Sequence, residues 1–190
     1  MSFIPAFELG LWNAWIFKLL GIFVVAVTGS MSNKEAMEKF GEKLTVPHSK
    51  TEETSERVIS LLSIPFILYS FFVPLKLGTF WFYVGLPICF LAIVIGFSSV
   101  ISFATTPPDK LVTKGTYRIS RNPICLAGFL LDLGIGLACA SWVFILYAIV
   151  GLVLMNTMLK AEERFLLEKY GDTYKEYMDR TPKWIGIPKQ

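Results

Sequence analysis

The sequence predicts an all-α integral membrane protein of about five transmembrane helices, with a tight hairpin between helices four and five and a cytosolic C-terminal helical cap. Three observations carry that prediction. Of 190 residues, 54% are apolar and only 17% charged, against about 25% charged in soluble domains, and the mean hydropathy is +0.55. Apolar runs of nearly 20 residues recur, the length that carries a helix across roughly 30 Å of hydrocarbon at about 1.5 Å per residue. Basic residues gather in patches between and after those runs. This composition excludes a disordered chain and an ordinary soluble domain. A net charge of +3 is too small a bias to imply a nucleic-acid partner.

The first span is expected from about Leu9 to Thr28, interrupted by Asn13 and Lys18, which would snorkel or face a neighbouring helix. No basic residue precedes it and no small-residue cleavage site follows, so it reads as a retained helix and not a signal peptide. A polar connector follows from about Ser30 to Glu56, helical in part from Asn33 to Lys43, in which His48 reads as a solvated residue. Span two is expected from about Val58 to Leu75 and span three from about Phe80 to Phe103. Spans four and five, about Ile124 to Cys139 and Trp142 to Leu159, are separated only by Ala140 and Ser141, which forces a hairpin. Beyond the last apolar run the helix is expected to continue until Gly171 stops it, and Asp172 or Thr173 would cap a final helix from Tyr174 to Asp179.

Charge sets the expected orientation. Lys34, Lys39, Lys43, Lys50 and Arg57 lie between spans one and two. Lys110, Lys114, Arg118 and Arg121 lie between three and four, and the chain after span five holds Lys160, Arg164, Lys169, Lys175, Arg180, Lys183 and Lys189. With five spans all three patches fall on one side, opposite Lys76, so the amino terminus is expected outside and the carboxyl terminus in the cytosol. The membrane would be a bacterial or archaeal cell membrane, or the endoplasmic reticulum in a eukaryote. One membrane domain is expected over residues 1–190, with three helices in 1–104 and a cofactor-binding region in 105–190.

Two stretches hold residue types that do chemistry. Residues 105–125, TTPPDKLVTKGTYRISRNPIC, form a shaped loop: Pro107 and Pro108 end span three, Gly115 permits a turn, and Pro123 suits the first position of the next helix. The second, MLKAEERFLLEKYGDTYKEYMDRTPKW, places the paired carboxylates Glu162 and Glu163 about one turn past the last apolar run. Such carboxylates are commonly a solvated helix face, but a carboxylate facing the Arg121 loop would be a site. Cys89, Cys125 and Cys139 have neither CxxC spacing nor histidine partners, so no metal site and no disulfide framework is expected. Asp132, inside an apolar helix, requires a partner or a function. Gly134 and Gly136 form a GxG that reads first as helix packing.

LVTKGTYRISRNP (Leu111 to Pro123), followed after a hairpin by EERFLLEKYGDTYKEY (Glu162 to Tyr177), resembles the isoprenylcysteine carboxyl methyltransferase family and its phospholipid methyltransferase relatives. The usual form there is LVxxGxYxxxRHPxY, then a hairpin, then EExxLxxxFGxxYxxY. The resemblance runs from about Asp109 to Pro182. It implies a membrane enzyme that moves a methyl group from S-adenosyl-L-methionine to a lipid or lipidated acceptor at the cytosolic face, with prenylcysteine carboxyl methylation as the default activity. Phospholipid or thiol methylation is the alternative. It further implies cofactor contacts at Asp109, Lys110, Leu111, Val112, Tyr117, Asn122, Pro123, Ile124, Cys125 and Glu162, and catalytic roles for Arg121 and Asn122. Glu162 would pair with the cofactor's ammonium, and Arg121 or loop N–H groups would meet its carboxylate.

Three positions depart from the pattern. Asn122 stands where the family usually has His, and cannot act as a base near neutral pH. Cys125 stands where it usually has Tyr. The prenylcysteine enzymes' substrate-contacting arginine, four residues before the carboxylate block, falls on Met158, and Lys160 would replace it only by turning toward the site. Readings from other classes are an NADPH-dependent membrane sterol-type reductase, which has more spans, and a non-catalytic protein of the same fold.

Overall fold

A computed structural model describes residues 7–30, 46–107 and 109–186. The expected helix from Asn33 to Lys43 lies outside the described residues. Among the described residues six α-helices follow in order: α1 Trp15–Ser30, α2 Lys50–Ser70, α3 Phe80–Ala104, α4 Pro123–Ala138, α5 Trp142–Tyr170 and α6 Asp172–Arg180, with a 3₁₀ turn, Gly115–Arg118, between α3 and α4. Two of them, α3 and α5, are long and apolar enough to cross a membrane by length and composition. Their apolar windows are only 28% and 17% buried by the rest of the protein, as expected when the outward face meets lipid and not solvent.

The first expected span is shorter as a helix than the sequence implied. Residues 7–14 run alongside 71–75 instead, with Glu8 N–H donating to Phe72 O at 2.8 Å, Ala14 N–H to Val73 O at 2.9 Å and Leu75 N–H to Trp12 O at 2.9 Å. Asn13 is buried and its amide donates to the carbonyls of Glu8 (2.7 Å) and Phe71 (2.6 Å). Irregular backbone is stable at such a place only when its polar groups are satisfied within the protein, and Asn13 does that. α2 is likewise shifted: it begins at Lys50 under a capping box in which Ser49 and Glu52 cap each other's backbone, and it ends at Ser70, before the expected Leu75.

The other elements lie close to expectation. Pro123 takes the first position of α4. The α4–α5 hairpin turns through Ala140 with φ 49°, and Ser141 N–H donates to Gly136 O at 2.7 Å. α5 runs on to Tyr170 and stops at Gly171, φ 53°. The final helix starts earlier than predicted, at Asp172, and neither Asp172 nor Thr173 caps it: Gly171 stands at the cap position and contributes no side-chain bond.

The core sits where α3, α4 and α5 meet the 71–75 segment, around Cys89, Ile135, Ala138 and Phe144. α3 and α4 approach backbone to backbone: a Cβ on Gly134 would lie 2.7 Å from Cys89 Sγ and 2.8 Å from its N, and one on Gly136 would lie 2.9 Å from Ile145 N. The GxG is therefore a packing device of the bundle and hairpin. Asp132 on α4 forms a salt bridge with Lys18 on α1, whose ammonium also lies over the rings of Tyr147 (5.4 Å) and Phe144 (5.9 Å). Both charges that interrupt apolar segments are thus paired with each other.

Candidate active site

The loop after α3 is held from two sides. Ser99 and Thr116 share a hydroxyl bond of 2.8 Å, and Gly115, at φ 61°, lies against the Ser102 hydroxyl, which a Cβ there would strike. On the other side the Tyr177 hydroxyl of α6 donates to Tyr117 O at 2.7 Å. Tyr117 is buried with Phe103 and Val112. Burial, then the Glu162 carboxylate, then Tyr177 push its phenol well above the usual tyrosine range, so it stays protonated.

Arg121 follows immediately and is fixed through its backbone: its N–H donates to Pro182 O at 2.9 Å. The segment after α6 straps this turn, since Asn122 Nδ2 donates to Lys183 O (3.1 Å), Ser120 Oγ to the same carbonyl (3.4 Å) and Gly186 N–H to Ile119 O (3.2 Å). The Arg121 side chain, 11% exposed, forms an ion pair with Glu163 of α5 at 3.2 Å, and Lys183 approaches the other oxygen of Glu163 at 3.4 Å. The sequence left open which carboxylate of the pair would meet the Arg121 loop; the ion pair is with the second, Glu163. Glu162 sits one position earlier on α5 and faces a cavity instead.

That cavity, of about 240 Å³, is lined from the loop by Tyr117, Arg121 and Asn122, from α4 by Pro123, Ile124 and Cys125, and from α5 by Met155, Met158, Leu159 and Glu162. A smaller hollow of about 30 Å³ adjoins it across the shared residues Phe103, Tyr117, Arg121 and Glu162, and adds Leu111, Val112, Tyr170, Tyr174 and Tyr177. Burial, then Glu163, push the Tyr174 phenol up to about 12. Of the residues predicted for the site, Leu111, Val112, Tyr117, Arg121, Asn122, Pro123, Ile124, Cys125 and Glu162 line one hollow or the other. Asp109 and Lys110 do not: both are exposed and line neither. Lys160 is also exposed and is absent from the lining, where Met158 stands.

Residues 81–173 match the phospholipid methyltransferase family. That family includes the isoprenylcysteine carboxyl methyltransferases, to which the two sequence blocks point. The matched region begins in the first turn of α3, ends in the first turn of α6, and contains every residue of the cavity wall contributed by α3, the loop, α4 and α5. It covers just under half of the chain. No curated protein matches the chain as a relative.

The wall of the cavity not supplied by this region was missed by sequence reading. Val46, His48 and Glu56, from the connector and the start of α2, complete it. What holds them there is Arg164 on α5, which donates to both oxygens of Glu52 at 2.6 and 2.8 Å and to Pro47 O at 3.4 Å. Hydrogen bonding from Arg164, then from the Ser49 backbone, holds the Glu52 carboxyl down at about 2. No group of His, Cys, Asp and Glu suited to a metal occurs among the described residues.

Proposed function

We propose that this protein is an S-adenosyl-L-methionine-dependent methyltransferase acting on a lipidic acceptor, with its site at the cytosolic membrane face between the 105–125 loop, α5 and α6. The observation that carries the reading is Arg121. Its side chain is mostly shielded, and the buried Nε and Nη1 atoms find no hydrogen-bond acceptor among the described residues, although Nη1 lies within ion-pair distance of Glu163. A buried guanidinium in that condition fits an anion. With the Glu162 carboxylate on the same wall and Tyr117, Phe103 and Leu159 around them, the lining offers what the cofactor's carboxylate, ammonium and adenosine each require. Glu162 would hold the ammonium, Arg121 the carboxylate, and Tyr117 with the aliphatic wall the nucleoside. When bound, the cofactor supplies an electrophilic methyl group. The protein's part is then to orient the acceptor in line and to keep water out.

Among acceptors, an amine-bearing phospholipid fits better than a prenylcysteine carboxylate. Arg121 is the cation of the cavity wall and is assigned to the cofactor's own carboxylate, whereas Glu56 and Glu162 supply carboxylates. Met158 gives a carboxylate substrate nothing to hold. An apolar cavity of about 500 Å³ among α1–α5 lies beside the polar one, with Ile124 lining both, and that adjacency supports a hydrocarbon chain lying in the bundle with its headgroup at the cytosolic site. The five-span topology, with the amino terminus outside and residues 105–190 as the cofactor-binding region, is part of this proposal. It is supported by the gathering of Arg121, Arg164 and Lys183 at the end that carries the cavity.

The test is transfer of labelled methyl from S-adenosyl-L-methionine to aminophospholipids, prenylated cysteines and thiols by the purified protein in nanodiscs. Label in the aminophospholipid, and thermal stabilisation by S-adenosyl-L-methionine but not NADPH, are expected. Label in no acceptor together with no stabilisation would remove the methyltransferase reading.

A further inference from the structure

Methylating an amine at neutral pH requires removal of a proton, because the ammonium form has no lone pair to offer. The cavity wall holds several titratable groups, and chemistry eliminates most of them. Tyr117 is a buried phenol that keeps its proton. Carboxylates such as Glu56 and Glu162 are weak bases, suited to holding a cation. Cys125 is a thiol that would itself compete as a nucleophile. Asn122 cannot accept a proton near neutral pH, and its amide is bonded to Lys183 O.

His48 remains. It is the single histidine of the chain, it is half-buried, and it lines the same cavity as Glu162, Asn122 and Met158. It is carried on the connector that Arg164 fastens to α5 through Pro47 and Glu52. We propose that His48 is the proton acceptor of the methyl transfer: the acceptor's ammonium gives one proton to the imidazole, the freed nitrogen lone pair forms the N–CH3 bond as the sulfonium S–CH3 bond breaks, S-adenosylhomocysteine leaves with that bond's electron pair, and the imidazolium returns its proton to water. This rests on the amine-lipid reading above. It assigns the base to the connector, outside residues 81–173, and accounts for a site that works with Asn at position 122.

The charged and titratable groups lining the cavity with His48 are Glu56 from α2, Tyr117 and Arg121 from the loop, Cys125 from α4 and Glu162 from α5. Because the chain has one histidine, the full-length protein without an affinity tag gives one imidazole signal by NMR. Adding an aminophospholipid in the presence of S-adenosylhomocysteine, the demethylated cofactor product, should move that signal, since the bound ammonium lies beside the ring. In His48→Gln the transfer rate should fall about a hundredfold or more, with affinity for S-adenosylhomocysteine within twofold of the unaltered protein. The rising limb of the rate against pH should disappear, and added imidazole should restore part of the rate in His48→Ala.

An unmoved imidazole signal, or a His48→Gln variant that folds and keeps both its rate and its rising limb, would overturn the assignment while leaving the methyltransferase reading intact. Failure of the unaltered protein to bind S-adenosylhomocysteine or to methylate any amine would remove both.

Discussion

A single residue step along α5 separates two jobs. Glu163 pairs with Arg121 and, with Lys183, clamps the strap after α6, whereas Glu162 lines the cavity. The two carboxylates should therefore respond differently to substitution. Glu162→Gln should leave the melting temperature near that of the unaltered protein and weaken S-adenosylhomocysteine binding by about tenfold or more, since a hydrogen bond to a charged partner contributes about 1.5–3 kcal/mol. Glu163→Gln should lower the melting temperature as well, because it strips the partner from a buried guanidinium. Calorimetric titration and thermal unfolding of both variants check this, and equal effects in the two assays would mean the jobs are not divided. The sequence displayed the pair but not the division, because neighbours on a helix point about 100° apart and only the position of the loop decides which one it meets. His48 was less legible still: nothing local distinguishes it from a solvated residue, and its place in the wall depends on Arg164, more than a hundred positions away.

Among the elements, the ones read most closely from the sequence are those whose signals are local. α3 has a long apolar run, α4 opens with Pro123, and α5 ends at Gly171. Those read less well depend on partners distant in sequence. Residues 7–14 look like the first turns of a helix, yet they pair with 71–75, because Asn13 satisfies carbonyls there. The α3–α4 pair is the element on which the cavity's rear wall rests, and it tolerates no added volume at its crossing. A Cβ on Gly85 would lie 2.5 Å from Gly134 O and 2.8 Å from Ala138 Cα, both backbone atoms that cannot swing aside. Gly85→Ala should consequently destabilise the fold by about 1–3 kcal/mol. Gly151→Ala on α5, where nothing lies within 4 Å of the new methyl, should be neutral or slightly stabilising through helix propensity. Thermal unfolding in one detergent compares the two, and a Gly85→Ala variant as stable as Gly151→Ala would contradict the close crossing.

On the scale of the whole molecule, the cavity is closed by two fastenings that bring distant parts of the chain to one end. One is the strap of residues 182–186 over the 119–122 turn; the other is Glu52–Arg164, which joins the start of α2 to α5 and so carries His48 and Glu56 to the wall. The second has a pH signature. Glu52 has its carboxyl held at about 2 in the folded protein, against 4.5 for a free glutamate. A depressed carboxyl stabilises the fold in full above the unfolded value and loses that contribution as pH falls from about 4.5 toward 2, where the folded state also takes up the proton. Arg164 stays charged throughout, its own pKa raised further by the bond to Glu52. Melting temperature measured from pH 7 to pH 3 should therefore fall more steeply for the unaltered protein than for Glu52→Gln, with the two curves converging at the acid end. At pH 7, where the fastening is intact only in the unaltered protein, Glu52→Gln should also raise the KM for the acceptor more than it weakens cofactor binding, because Glu52 holds the connector wall and not the Arg121–Glu162 wall. Parallel melting curves would show that the pair does not fasten the two segments, and equal losses in both binding steps would show that the connector does not define the acceptor's side of the cavity.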